Sequence, residues 1–346
     1  MRRHLNTLYV TTEGAYVAKD GQNIVVSADR KEIGRVPVHM VGAVVCFGRV
    51  SMSPPAMGFC AESGVTVSWL GANGRFLARV EGPVGGNVLL RRRQYRVSDD
   101  EAACAAIVRG IVAGKVLNQR TVLRRALRDH GDTMDADGRA RIEAAQARLT
   151  DIARRTARPA DTDGLRGLEG EAASVYFSVF GGLLRTDEPD MGFRGRSRRP
   201  PLDPVNALLS FVYTLLVHDI RSALETVGLD PAVGFLHRDR PGRPSLALDL
   251  LEEFRPFFAD RLVLSLINRR QVKAADFRRM ENGAVLMGDD TRKDVLVAYQ
   301  ERKRDELNHP FIEEQVTVGM LWHIQAQMLA RHLRGDLDGY PPFVSK

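Results

Sequence analysis

The hydrophobic period of the chain changes about a quarter of the way along. Over residues 7 to about 82, short β-rich runs (NTLYV, AYVAK, NIVVSA, RVPVHMVGAVVCF, VTVSWL, RFLARVEG) are punctuated by Glu13-Gly14, Asp20-Gly21 and Asn73-Gly74. Asp-Gly and Asn-Gly between such runs are hairpin signals, and short, evenly spaced strands are the pattern of a sandwich. Residues 1–85 are therefore expected to form an N-terminal β-sandwich-like domain. The Gly/Pro-rich break at 82–86 leads into a linker over 86–97. From there the period is helical. Ser98-Asp-Asp-Glu101 has the form of a capping box. Helices are expected over 99–128, 138–157, 165–180 and 204–227, with more after Pro244, Arg292 and Ile312. Pro204 and Pro244 suit a first helical turn. Only FRRMENGAVLMGDD (277–290) is expected to interrupt the helices with a small hairpin. The polar, Gly/Pro-rich stretch 185–204 is expected to be a long loop. The fold class is thus α+β, a β-sandwich-like domain followed by a larger all-α catalytic domain over 98–346.

Composition narrows the class. The chain has 346 residues, 44% hydrophobic and 27% charged, enough apolar material for two cores and too much for a disordered chain. The longest apolar run, 207–217, has eleven residues and is broken by Ser210, Tyr213 and Thr214. A bilayer span needs ~20, so no membrane association is expected. The N-terminus MRRHLNTLYVTTEG lacks the apolar core and cleavage site of a secretory signal. Cys46, Cys60 and Cys104 are odd in number and far apart, which fits a reducing cytoplasm and offers no zinc cluster.

Charge adds a partner. The net charge of +7 lies entirely in residues 1–97, which carry 13 basic and 6 acidic residues, and 43 of the 50 basic residues are arginine. Arginine grips phosphate bidentately, so nucleic acid is a natural partner; an arginine-rich composition without one gives the same count.

The chain has no GxxxxGK[ST], HExxH, GxSxG or helix-opening GxGxxG, which disfavours P-loop, zincin and hydrolase chemistry. A carboxylate-and-imidazole set remains. Glu169 shares a helical face with Ala172, Ala173 and Tyr176, so its carboxylate points along the packed side; helix-start capping explains such a glutamate equally well. His237 ends the apolar run Gly234-Phe235-Leu236 and enters a Pro/Gly turn. Asp249, Glu252 and Glu253 follow at i,i+3 and i,i+4 in a leucine-rich helix. Such crowded like charges call for a cation, supplied either by a divalent metal or by Arg255 and Arg243. A solvated face is expected for Glu253. Glu169, His237, Asp249 and Glu252 together could hold Mn²⁺ or Mg²⁺, with the imidazole favouring manganese; His237 could instead serve as acid or base.

These residues carry a family resemblance. GKVLNQR (114–120), LEGEAA (168–173) with Tyr176-Phe177, RSRRPPLDPVNALLSFVYTLL (196–216), GFLH (234–237) and RPSLALDLLEEFRP (243–256) are, in this order, similar to the Cas1 family of CRISPR-associated integrases. The run RRPPLDPVNALLS is the most specific of them, and the motif forms look closest to subtype I-C. The resemblance implies a metal held by Glu169, His237 and Glu252, with Asp249 matching an acidic position one turn earlier. Relatives often carry aspartate where Glu252 stands. It also implies a homodimer, two of which flank a Cas2 dimer in a hetero-hexamer, assisted in some subtypes by a Cas4 nuclease. The implied reaction joins the 3′-hydroxyl ends of a short double-stranded DNA prespacer to a CRISPR repeat, and branched DNA is nicked as well. Transesterification of that kind needs a metal and basic grooves but no nucleotide. Arg194, Arg196, Arg198 and Arg199, and Arg91, Arg92 and Arg93, are candidate phosphate contacts. Lys115, Asn118 and Arg120 are expected to fix helix packing. Two rivals use the same residues: a branched-DNA nuclease that works without a partner, and a non-catalytic DNA scaffold whose acidic cluster is structural.

Overall fold

The computed structural model describes residues 6–71, 76–80, 82 and 88–345. It divides into two compact units. One holds Met1–Gly86 with Gly288–Asp305 and Thr317–Met320, and the other holds Asn87–Met287, Glu306–Val316 and Leu321–Lys346. A strand-rich unit and a larger helical one make the class α+β.

In the first unit β1 (Asn6–Val10), β2 (Tyr16–Asp20), β3 (Asn23–Ala28), β4 (Lys31–Pro37), β5 (Val41–Phe47), β6 (Ser51–Met52), β7 (Thr66–Leu70) and β8 (Phe76–Val80) form two four-stranded sheets, ordered β1-β5-β7-β8 and β4-β3-β2-β6. Val17, Ile24 and Val26 from one sheet and Val44, Cys46 and Val67 from the other enter a single buried cluster. The Asp20-Gly21 signal is the β2–β3 hairpin, with Gly21 at φ 56°. Glu13-Gly14 instead turns the chain between strands of different sheets. The β3–β4 hairpin turns on Asp29-Arg30, both at positive φ, without the glycine that would have announced it. The Asn73-Gly74 turn lies outside the described residues.

The unit is not all-β. Helix α1 (Pro54–Glu62) begins where Ser53 Oγ accepts from Ala56 N at 3.2 Å and Pro54 stands in the first turn, and it buries Ala56, Phe59 and Cys60. It forms the crossover between β5 and β7, which pair in parallel. A two-residue hairpin cannot make that connection.

The second unit is built on α2 (Val88–Asp99), α3 (Glu101–His130), α4 (Ala136–Thr156), α5 (Thr162–Phe180), α6 (Pro204–Val227), α7 (Ser245–Phe254) and α8 (Arg261–Asn268). The described part of the expected linker, 88–97, is therefore helix. The capping box is not formed either. Asp100 caps α3, accepting from Ala102 N and Ala103 N at 3.1 Å, while Ser98 donates to Tyr95 O at the end of α2. Glu101 reaches across to accept from Thr162 N at 2.7 Å, so it ties the start of α5 to α3. Helix α3 packs against α2, α4, α5 and α7.

Helix α6 is long and apolar enough over an 18-residue window to cross a membrane, although Ser210, Tyr213 and Thr214 interrupt its apolar run. Most of that window is buried inside the protein, as in a core helix. Asp203 caps α6 by accepting from Asn206 N at 2.7 Å. The expected hairpin is present as β9 (Phe277–Arg279) and β10 (Val285–Met287). Helix α9 (Asp289–Arg304) then returns to the first unit. A second small pair, β11 (Glu306–Asn308) and β12 (Gln315–Thr317), precedes α10 (Leu321–Arg334). It was not expected, because its three-residue strands are too short to show a period.

Candidate metal centre

The centre starts at Gly234. Its missing side chain lets the segment 234–237 lie against the start of α7, beside Asp249 in the second turn, which is fully buried. A Cβ on Gly234 would meet Asp249 Oδ2 and Ser245 Cβ at 2.8 Å. Asp249 Oδ2 accepts from Phe235 N at 2.6 Å and Leu236 N at 3.0 Å, while Oδ1 accepts from His237 N at 2.9 Å. The same Oδ1 lies 2.7 Å from His237 Nδ1. A carboxylate can only accept, so Nδ1 carries a proton towards Asp249, and Nε2 is the ring nitrogen that faces Glu252. Asp249 is therefore fully engaged in holding the loop and orienting the imidazole.

Glu252 stands one turn further along α7, 1% exposed. His237 Nε2 lies 3.9 Å from its Oε1, and Arg255 Nη1 lies 2.7 Å from the same oxygen. Just beyond, Pro256 has no N–H to give the carbonyl four residues back, that of Glu252. The helix widens to a π-turn over Arg255–Asp260, a feature frequent at functional sites. Burial raises the pKa of Glu252, but Arg255, then Lys115 and His237, outweigh it and hold the carboxyl below its ordinary range.

Glu169 comes from α5, a quarter exposed at the edge of the face that buries Leu165, Leu168, Ala172 and Tyr176. Arg166, three residues earlier, donates from Nε to Leu236 O at 2.6 Å, which ties α5 to the histidine loop. From α3, Lys115 reaches Glu169 Oε1 with its ammonium and stands 2.7 Å from Glu252 Oε2. Gly114 permits that approach, since a Cβ there would lie 3.2 Å from Glu253 Cγ and 3.0 Å from Pro342 Cβ. Asn118 continues the seam, donating to Glu253 O at 2.8 Å and Phe343 O at 2.9 Å.

The structure thus brings Glu169, His237, Asp249 and Glu252 together. Arg255 is the cation anticipated beside the acidic residues. Glu253 departs from expectation, because it is fully buried and not solvated. Tyr340 Oη donates to it at 2.7 Å and Phe343 N at 2.8 Å, so the C-terminal segment is bound directly behind the centre. Burial pushes its carboxyl up to about 8 against those donors. Lys115, expected to fix helix packing, instead reaches into the centre, and Arg166 was missed. A lone charge among Ile111, Val112 and Val116, all buried, is a local signal for Lys115.

Of the candidate phosphate contacts, Arg194, Arg198, Arg199, Arg92 and Arg93 are exposed and Arg91 is half-buried. Arg196 is committed inward: Nη1 donates to Asn206 Oδ1 at 2.6 Å and Nη2 to Ser210 Oγ at 3.2 Å, and its guanidinium lies over the Tyr213 ring. Arg255 lies 4.9 Å from the centre of that ring, and Tyr213 Oη donates to buried Asp260 at 2.5 Å. Asn206 also takes Ser197 N and donates to Gly195 O, so the run RRPPLDPVNALLS folds its own loop.

Among the described residues no three Asp, Glu, His or Cys side chains already stand together as a ligand cage, and the Lys115 ammonium stands between Glu169 and Glu252. That position already holds a cation. Two carboxylates and a neutral imidazole whose other nitrogen is held by a carboxylate are the donors a hard divalent ion takes, so the residues present fit a metal.

The family model for CRISPR associated protein Cas1 matches residues 8–301. A Rhodospirillum rubrum protein, CRISPR-associated endonuclease Cas1 2, is 60% identical over 347 residues, covering all of both chains. Two solved structures share the fold. A chain of a Cas6-RT-Cas1–Cas2 complex has a TM-score of 0.82 at 24% identity, over 99% of this chain and 36% of that one. A casposase bound to integration product has a TM-score of 0.80 at 22% identity, over 97% and 93%.

Proposed function

The chain belongs to the Cas1 family of CRISPR-associated proteins, and we propose that it is a metal-dependent DNA endonuclease and integrase. In this reading it joins the 3′-hydroxyl ends of a short duplex prespacer to a CRISPR repeat. The observation that carries the reading is the seating of His237. Asp249 engages Nδ1 and so aims Nε2 towards Glu252, and a purely structural acidic cluster has no need of that arrangement.

Glu169, His237 and Glu252 would hold Mn²⁺ or Mg²⁺, with Asp249 as support. When bound, such an ion supplies a Lewis acid for a phosphodiester oxygen and lowers the pKa of a hydroxyl nucleophile. The protein's own residues position and shield. Arg255 neutralises one oxygen of Glu252, Arg166 keeps the histidine loop on α5, and Asp249 fixes the orientation of the imidazole. Exposed Arg194, Arg198, Arg199, Arg92 and Arg93 offer sequence-independent phosphate contacts. The same centre would nick branched DNA if water replaced the hydroxyl. Homodimerisation through the strand-rich unit, a Cas2 dimer completing a hetero-hexamer, an accessory Cas4 nuclease and a cytoplasmic setting complete the proposal. A Cas1–Cas2 assembly among the fold relatives supports the Cas2 partner. Light scattering at twice the 38.4 kDa chain mass would support the dimer, and a monomer mass at micromolar concentration would count against it.

The test is strand joining by wild type and by Glu169→Ala, His237→Ala and Glu252→Ala, with Mn²⁺, a 3′-hydroxyl duplex, a repeat target and Cas2. Each variant should lose joining by at least ~10-fold while gel-shift affinity, set by arginine–phosphate contacts, stays within a few-fold. Wild-type rates in all three would refute the placement of the centre.

A further inference from the structure

Lys115 is the one part of this centre that the metal reading leaves without a role. Its side chain is 4% exposed, and its ammonium touches one oxygen of Glu169 and lies 2.7 Å from Oε2 of Glu252. Burying an ammonium is costly and is offset only where carboxylates and well-aimed hydrogen bonds surround it. At Glu252 the ammonium is the cation beside Oε2, a buried oxygen that takes no hydrogen bond from any other described residue. The contact is that of an ion resting between two carboxylates. Glu252 does not need Lys115 for charge balance, since Arg255 holds its other oxygen at 2.7 Å.

The charge count makes the same point. Glu169, Asp249 and Glu252 contribute three negative charges, and Lys115 and Arg255 two positive ones, with His237 counted as the neutral imidazole that a metal ligand must be. The centre therefore carries one negative charge with the lysine in place and two without it. Two is the charge that a single divalent cation cancels. An ammonium and a divalent ion cannot share the space between Glu169 and Glu252, because like charges at contact distance in a buried site repel strongly.

We infer that Lys115 is a built-in counter-cation that occupies the metal's place between Glu169 and Glu252 and must be displaced when the metal binds. The site can then fold and persist without metal, and its metal affinity is set below what the carboxylates alone would give. This rests on the metal-centre reading above and adds a competitor to it.

The test uses the full chain and three variants, Lys115→Met, Lys115→Met/Glu169→Gln and His237→Ala. It reads equilibrium Mn²⁺ binding and the melting temperature in EDTA, neither of which depends on activity. Lys115→Met should melt lower than wild type in EDTA and gain more in melting temperature from saturating Mn²⁺. It should also bind Mn²⁺ about tenfold or more tightly. Adding Glu169→Gln removes the uncompensated charge, so the double variant should recover the EDTA melting temperature lost by Lys115→Met. A lysine needed only for packing would not be rescued in that way. Lys115→Met binding Mn²⁺ no more tightly than wild type, at a site that His237→Ala still abolishes, would overturn the inference and leave the metal centre standing. If wild-type Mn²⁺ binding is untouched by His237→Ala, the metal centre itself is misplaced and the inference falls with it. Should Lys115→Met fail to fold, Lys115→Gln with the same readings replaces it.

Discussion

Gly234→Ala isolates the contact that seats the histidine. A Cβ at this position would stand 2.8 Å from Asp249 Oδ2, 2.8 Å from Ser245 Cβ and 2.9 Å from the Ser245 carbonyl carbon, where ordinary contact begins at 3.4 Å. Two of the three obstacles belong to Ser245, the first residue of α7, and one of those is backbone, so no side-chain rotation relieves the overlap. The loop and the helix must part by about half an ångström. Overpacking of this kind costs ~1–3 kcal/mol. The displacement also stretches the 3.0 Å bond from Leu236 N to Asp249 towards the limit of a hydrogen bond. A buried donor left unsatisfied adds ~1–3 kcal/mol. The expected loss is about 2–6 kcal/mol, a large part of an ordinary domain's stability.

Gly167→Ala is the control, because it lies on α5 with nothing within 4 Å of its added Cβ. There the same substitution should stabilise by ~0.5–1 kcal/mol through helix propensity and a stiffer unfolded chain. Urea unfolding in a Trp69→Phe background leaves Trp322, buried in the helical unit, as the reporter. The reasoning is refuted if Gly234→Ala unfolds at or above the wild-type urea midpoint.

Glu253 should make the helical unit pH-sensitive. Its folded-state pKa is pushed up to about 8 from the ordinary 4.5, chiefly by burial, so the folded state binds the proton more tightly. The stability it contributes is full below the unfolded value and is lost as pH rises through about 8, at up to ~1.4 kcal/mol per pH unit. Glu253→Gln should flatten the slope of the urea midpoint between pH 5 and 8, and an unchanged slope would assign the dependence elsewhere. The arginine loop should divide by burial. Arg198→Ala and Arg199→Ala should weaken duplex binding and each lower the salt slope by ~0.9. Arg196→Ala, whose donors are committed to Asn206 and Ser210, should lower the melting temperature before it lowers the salt slope. Equal effects of all three on the slope would show that Arg196 contacts DNA.

What the sequence determined by itself is local in origin. Hydrophobic period separated strands from helices and placed α4 to α6 within about three residues, because an amphipathic face must be written into the residues that form it. The residues of the candidate centre were legible too, since carboxylates and a histidine inside apolar runs are costly to bury unless they are paired or used. Tertiary contacts decided the rest. The helix 54–62 inside a β-rich unit, the hairpin on Asp29-Arg30 and the return of α9 to the first unit depend on which strands pair, and period does not encode pairing. Glu253 looked solvent-facing because its partners, Tyr340 and Phe343, lie 87 and 90 residues away. Arg196 looked like a free phosphate contact because nothing local showed that Asn206 and Ser210 would receive it. Lys115 passed for a packing residue for the same reason. Its role rests on Glu169 and Glu252, carried on two other helices, and only the packed fold puts a cation between them.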